Sequence, residues 1–202
     1  MEKTNVDLIQ KLIATSGAGV LECKKALESC NNDIDKALQY LREKGMTQAL
    51  KKSGRETKNG LISSYIHPGN RIGVLLEVNC ETDFVARTDE FKNLVKELGL
   101  QIAAAAPMWI SKEDVPKEVL DREREIYRRQ AQQEGKPEKV IEKIVEGKLE
   151  KFYAQTCLLE QPYIRDPQGK EKVKNIIQQT IAKTGENIVV KRFVRFQLGE
   201  EV

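Results

Sequence analysis

A single histidine, His67, stands in the 202 residues, so no mechanism that needs two imidazoles, and no zinc site built on several of them, is available. It lies in His67-Pro68-Gly69-Asn70, whose proline and glycine favour a tight turn, and it reads as an exposed turn residue rather than a general base. Cys23, Cys30, Cys80 and Cys157 are far apart with no C-x-x-C pair, and read as reduced, mostly buried thiols; no metal and no cofactor are expected. The sequence has no G-x-x-x-x-G-K-[ST] loop, no G-x-G-x-x-G after a strand and no G-x-S-x-G elbow. Gly17-Ala18-Gly19 follows no strand and reads as a turn between helices. Acids alternate with lysines as they do on solvated helix faces. No catalytic residue is expected, and the chain does not read as an enzyme.

One segment has unusual chemistry for its place. Asn79-Cys80-Glu81-Thr82-Asp83-Phe84-Val85-Ala86-Arg87 connects a predicted strand to a predicted helix, and it reads as a loop carrying an acid, an aromatic and a valine in succession. Two readings follow. Phe84 and Val85 fold back as a staple on the core while Asp83 caps a turn, which the residues alone favour; or Phe84 is an exposed wedge of the kind that anchors protein interfaces.

The elements that must position this segment are legible from periodicity. Thr4 or Asn5 caps a helix carrying Val6, Leu8, Ile9, Leu12 and Ile13. A second helix spans about Leu21 to Ser29, with Leu21, Ala26 and Leu27 inward. Asn31-Asn32-Asp33 breaks it and caps a third, with Ile34, Ala37, Leu38 and Leu41 at helical spacing and Gly45 at its end. The period then changes: strands at Leu61–Ile66 and Arg71–Val78 form a hairpin across His67–Asn70. Thr88 caps a helix through Phe91, Leu94, Val95, Leu98 and Ile102 to Pro107. Pro116 opens another to about Gln133, and a further helix after Pro137 carries Val140, Ile141, Ile144 and Val145, bent or divided at Gly147. A helix with Val173, Ile176, Ile177 and Ile181 ends at Gly185, and Asn187–Leu198 closes the chain as a strand. Strands and helices without regular alternation argue an α+β class, with an antiparallel sheet covered by helices behind a three-helix domain. The boundary is placed at Ser53-Gly54, giving residues 1–53 and 54–202.

Composition narrows function further. With 40% apolar and 32% charged residues the chain can build a core. Lys and Arg number 34 against 31 Asp and Glu, a net charge of +3, so no direct nucleic-acid binding is expected and Lys51, Lys52, Arg55 and Lys58 read as a solvated linker. No run approaches the roughly 20 apolar residues of a membrane span. The polar, acid-containing start Met1–Asp7 is unlike a secretory or transit peptide, so a cytoplasmic protein without membrane association is expected.

Several motifs together carry a resemblance. Glu77-Val78-Asn79-Cys80-Glu81 followed by Thr82-Asp83-Phe84-Val85-Ala86 resembles the signature of the translation elongation factor Ts family. Thr15-Ser16-Gly17-Ala18-Gly19-Val20-Leu21-Glu22-Cys23-Lys24-Lys25-Ala26-Leu27 is similar to the family's other signature, in its ubiquitin-associated-like three-helix domain. Ile66–Leu75, Glu146-Gly147-Lys148 and Leu159-Glu160-Gln161-Pro162-Tyr163 also resemble it, in the right order over nearly the whole chain, and the length suits the short bacterial form. The resemblance implies guanine-nucleotide exchange on elongation factor Tu in protein biosynthesis. Thr82, Asp83, Phe84 and Val85 would be the exchange elements that disturb the partner's magnesium and phosphate site, and Val20, Leu21 and Lys24 would grip its GTPase domain. Both the GDP-bound and the nucleotide-free partner would be bound. Gln101 occupies the place of a family histidine that works near the partner's phosphate loop; a glutamine can hydrogen-bond there but carries no positive charge. Residues 54–202 would be the exchange and dimerisation core, and a homodimer is expected. The rival from another class is a passive three-helix adaptor without exchange activity; a weaker third is an RNA-associated protein using the linker and the Arg122–Arg129 helix.

Overall fold

The computed structural model describes residues 6–16 and 18–200. The expected cap at Thr4 or Asn5, and Gly17 of the first turn, lie outside them. Helices α1 (Val6–Ser16), α2 (Val20–Ser29) and α3 (Ile34–Lys52) bury Leu12, Cys23, Ala26, Leu27 and Ala37, and Leu8, Ile9, Ile13, Ile34, Leu38 and Leu41 pack around them. The α2–α3 turn forms as its residue types dictate. Asn31 and Asn32 take the left-handed conformation that asparagine tolerates, and the Asp33 carboxylate accepts the Lys36 amide at 3.0 Å as an N-cap. One expected inward residue faces water instead: Leu21 is exposed, because Cys23 rather than Leu21 occupies the buried stripe of α2.

A second correction concerns Gly45. It does not end α3, which runs on to Lys52; it lies buried in mid-helix, where an added β-carbon would stand 3.4 Å from Ala182 Cβ. The glycine is there for close approach, not for a turn.

Strands β1 (Asn59–Ile66), β2 (Ile72–Cys80) and β3 (Ile188–Gln197) form a three-stranded antiparallel sheet in the order β1-β2-β3, so the class is α+β. Gly69 and Asn70, both at positive φ, turn the β1–β2 hairpin. Between β2 and β3 run α4 (Asp83–Ala86), α5 (Asp89–Ala105), α6 (Lys117–Gln133), α7 (Glu138–Thr156) and α8 (Val173–Thr184). Thr88 caps α5 as expected, its hydroxyl accepting the Phe91 amide. Helix α5 lies on the sheet through Gly99, whose β-carbon position would be 3.1 Å from Tyr65 Cβ. Helices α6 and α7 pair around Ala131, Ile141, Val145 and Leu149. Gly147 does not divide α7, which is continuous from Glu138 to Thr156; Leu149, one turn from Val145, keeps the same face buried.

The chain gathers into two compact units. The first comprises residues 1–61, 79–94 and 177–189; the second comprises 62–78, 95–176 and 190–202. In the first, α3 meets the end of α8 at Gly45 and Ala182. Gly45→Leu is therefore expected to overpack this contact and cost about 1–3 kcal/mol. Gly45→Ala, which just fits and gains helix propensity of up to about 1 kcal/mol, should be neutral or better. Urea midpoints at unchanged slope would check this, and a Gly45→Leu protein as stable as wild type would refute it.

Candidate functional site

The Asn79–Arg87 segment is not the open loop its composition implied. Asp83–Ala86 make one helical turn, α4, with Thr82 as N-cap, its hydroxyl accepting the Val85 amide at 3.3 Å. Helical geometry separates the two apolar neighbours: Val85 and Ala86 are buried, while Phe84 is 77% exposed. The staple reading fails on this point, and its proposed cap fails as well. Asp83 points outward, its carboxylate 2.8 Å from the Arg87 guanidinium in an exposed i, i+4 pair. Such a pair contributes little stability, so Asp83, Phe84 and Arg87 together form a charged and aromatic projection held from beneath.

The support for this turn comes from the same unit. Thr82 is engaged at every polar atom. Its carbonyl accepts from the Cys80 thiol at 3.1 Å and from the Ala86 amide at 3.3 Å. Its amide donates to Glu186 Oε2 at 2.9 Å and its hydroxyl to Glu186 Oε1 at 2.6 Å. Glu81 beside it accepts the Asn187 amide at 2.7 Å and pairs with Arg55, and its carbonyl accepts from Asn59 Nδ2 at 2.8 Å. Asn187, buried, donates its side-chain amide to the carbonyls of Arg55 (2.9 Å) and Ser53 (3.4 Å). Burial, and after it the Glu186 carboxylate, push the Cys80 thiol up to about 11. Glu81, Glu186 and Asn187 were not singled out as site residues. The only hint is a polar Glu-Asn pair between a helix-ending glycine and an apolar strand, and a single sequence does not say what that pair would meet.

Val20, Leu21 and Lys24 occupy the first turn of α2. Val20 and Leu21 are exposed at 65% and 64%, and Lys24 is exposed beside Glu28. Residues 20, 21 and 24 share one helix face, so this end of the bundle presents two aliphatic side chains and an ammonium group.

Gln101 is different. It lies in the second unit and is 1% exposed. Its Nε2 donates to Gln161 Oε1 (3.1 Å) and to the Pro162 carbonyl (3.2 Å), and its Oε1 accepts the Ile164 amide at 2.9 Å. A neutral amide with donor and acceptor both matched is at home in the interior, and the structure places Gln101 there rather than on the surface. It ties α5 to the 161–164 segment, where Tyr163 donates to Glu97 Oε2 at 2.8 Å and Arg165 pairs with the same oxygen at 3.1 Å. Nearby in sequence, Lys172 and Lys174 clasp the buried Glu160 at 2.7 and 2.8 Å. Among the described residues, no three His, Cys, Asp or Glu side chains gather as metal ligands, and no helix is long and apolar enough to cross a membrane. His67 is an exposed turn residue, hydrogen-bonded to Tyr65.

The chain as a whole is similar to one group of known proteins. Residues 5–200 match the family model described as Elongation factor TS. The chain is 59% identical over 194 residues to a protein named Elongation factor Ts from Thermoanaerobacter sp. (strain X514), covering 96% of this chain and 94% of that one. It is 59% identical over 199 residues to the Elongation factor Ts of Thermotoga neapolitana, covering 98% and 99%. The protein of the same name from Caldanaerobacter subterraneus is 59% identical over 194 residues, covering 96% of each. The chain belongs to the elongation factor Ts family.

The ion-paired carboxylates set a pH dependence. Burial alone would raise Glu97 and Glu160, but hydrogen bonds from Arg165 and Tyr163, and from Lys172 and Lys174, hold both below their ordinary value of 4.5. A carboxylate lowered on folding stabilises the fold above its unfolded pKa, and that contribution is lost as pH falls through the lower, folded value. Unfolding midpoints are therefore expected to drop from about pH 4.5 downward. Glu160→Gln should lower stability at neutral pH and flatten that acid limb, as chemical denaturation across pH would show; an unchanged limb would refute the assignment.

Proposed function

We propose that this protein is the guanine-nucleotide exchange factor for elongation factor Tu in translation elongation, acting in the cytoplasm, and that it does no bond chemistry of its own. The observation that carries the mechanism is the exposed Phe84 on a turn anchored by Val85. A buried phenyl ring contributes roughly 1.5–3 kcal/mol relative to an exposed one. A ring left in water by the fold keeps that free energy for a partner, and an aromatic side chain fixed on a braced turn is the type that dominates interfaces.

Exchange requires only that affinity differ between the GDP-bound and the nucleotide-free partner. In this reading Asp83 and Phe84, backed by Thr82 and Val85, press between helices of the GTPase domain. The partner's magnesium bridges phosphate oxygens to protein ligands, so a small shift of those ligands removes a large electrostatic attraction for GDP. Val20, Leu21 and Lys24 on residues 1–53 supply grip that is indifferent to nucleotide, while the α+β region carries the wedge. Linkage then makes GDP expel the factor by the same ratio by which the factor expels GDP. A passive adaptor would use the α2 face alone and leave Phe84 without a role.

We also propose self-association, through a different surface. On the sheet face away from α5, Ile62, Ile66, Leu75, Val194 and Phe196 are exposed, with the Glu77–Arg192 pair on the same side. A twofold dimer brings the same patch of each copy together, and a second copy of this chain is the cover we propose for this one.

Release of a fluorescent GDP analogue from elongation factor Tu tests the first reading. Substoichiometric protein should accelerate it. Phe84→Ala should slow the catalysed rate roughly thirty-fold or more while changing folding stability by less than about 0.5 kcal/mol. No acceleration by the folded wild-type protein would overturn the proposal. For the second, Phe196→Asp should convert a dimer to a monomer in light scattering; a wild-type protein monomeric at all concentrations would refute it.

A further inference from the structure

The exchange turn is held by a residue 104 positions away in sequence. We infer that Glu186 is a positioning residue for nucleotide exchange: its carboxylate sets the direction of the Thr82 hydroxyl and amide and thereby the angle at which Phe84 meets the partner. This rests on the exchange reading above and goes beyond its partner-facing residues.

The geometry has a specific logic. A threonine hydroxyl has one proton and two lone pairs and rotates to suit its surroundings. To cap α4 it must turn a lone pair toward the Val85 amide, and that orientation is secured when the proton is directed elsewhere. An ionised carboxylate accepts only, so Glu186 Oε1 at 2.6 Å takes the hydroxyl proton. Charge-assisted bonds of this length are the stronger kind, and a hydroxyl polarised by donating becomes a better acceptor in turn. The second oxygen takes the Thr82 amide at 2.9 Å, so the residue is gripped at two atoms and cannot pivot about one bond. The Cys80 thiol holds the carbonyl on the remaining side.

Glu186 is itself fixed by its neighbour. Asn187, 2% exposed, is tied through its side chain to the Arg55 and Ser53 carbonyls just past α3, and through its amide to Glu81. Two consecutive residues at the α8–β3 junction thus join the end of α3 to the start of α4. Within this unit, the helix that carries the three-helix bundle's far end and the turn that carries Phe84 share one polar clasp. The pair lies partly open to water, so its contribution is to orientation rather than to overall stability.

The test compares variants in steady-state exchange on elongation factor Tu. Glu186→Ala should lower kcat about tenfold with KM changed by less than about twofold, since the turn's aim rather than the grip is lost. Glu186→Gln, which retains one acceptor, should recover part of the rate. Glu186→Ala added to Phe84→Ala should cost nothing further, because a misaimed turn without its ring has nothing left to lose. An unchanged kcat in Glu186→Ala, a loss that adds fully to that of Phe84→Ala, or a loss explained by a fall in Tm would each overturn the inference. Amide hydrogen exchange separates this from failure of the exchange reading itself. If wild-type protein does not accelerate GDP release, that reading falls. Faster exchange at the Val85 and Ala86 amides in Glu186→Ala would still uphold the clasp, and unchanged protection would refute it.

Discussion

A helix of four residues cannot hold itself together. Forming the first turn fixes several dihedrals for one hydrogen bond, so nucleation is unfavourable and isolated short helices do not persist in water. Asp83–Ala86 therefore exists only through what surrounds it: the burial of Val85 and Ala86 below, the Thr82 cap at its start, and Thr88, whose hydroxyl donates to the Val85 carbonyl and closes its end. That constraint explains the density of polar contacts at this spot. A long helix could have presented an aromatic ring with fewer ties, but it could not have turned so sharply between β2 and α5.

The same constraint divides labour between adjacent residues. Because helical geometry points Phe84 and Val85 in different directions, one pins the turn and the other stays in water. The arrangement tolerates the exposure of a large apolar side chain since its neighbour, and not the ring, secures the fold. The three-helix bundle repeats the pattern at the start of α2, where Cys23, Ala26 and Leu27 make the core while Val20 and Leu21 stay in water. In both places exposed apolar side chains lie at the beginning of a helix whose later residues carry the packing.

Much of this was readable from the chain. Local signals behaved as their chemistry dictates: Asn31-Asn32-Asp33 broke and capped, Thr88 capped, Pro116 opened a helix, Gly185 ended one at positive φ. The errors share a cause, which is that glycine and apolar residues have more than one use. Gly45 served close packing against Ala182, and Gly147 did not interrupt α7. Leu21 looked like core by type and is surface by position. Resemblance matched Gln101 to a family histidine, and local sequence did not show that Gln161, Pro162 and Ile164, about 60 residues on, close around it. The Glu186–Thr82 clasp was illegible for the same reason: no local pattern encodes a contact across the whole middle of the chain.

The Cys80 thiol adds a consequence of another kind. With its pKa pushed up to about 11 by burial and by Glu186, the Cys80 thiol stays protonated near neutral pH. Oxidants and electrophiles react with the thiolate, so this sulfur, two residues from Thr82 and donating to its carbonyl, is chemically quiet.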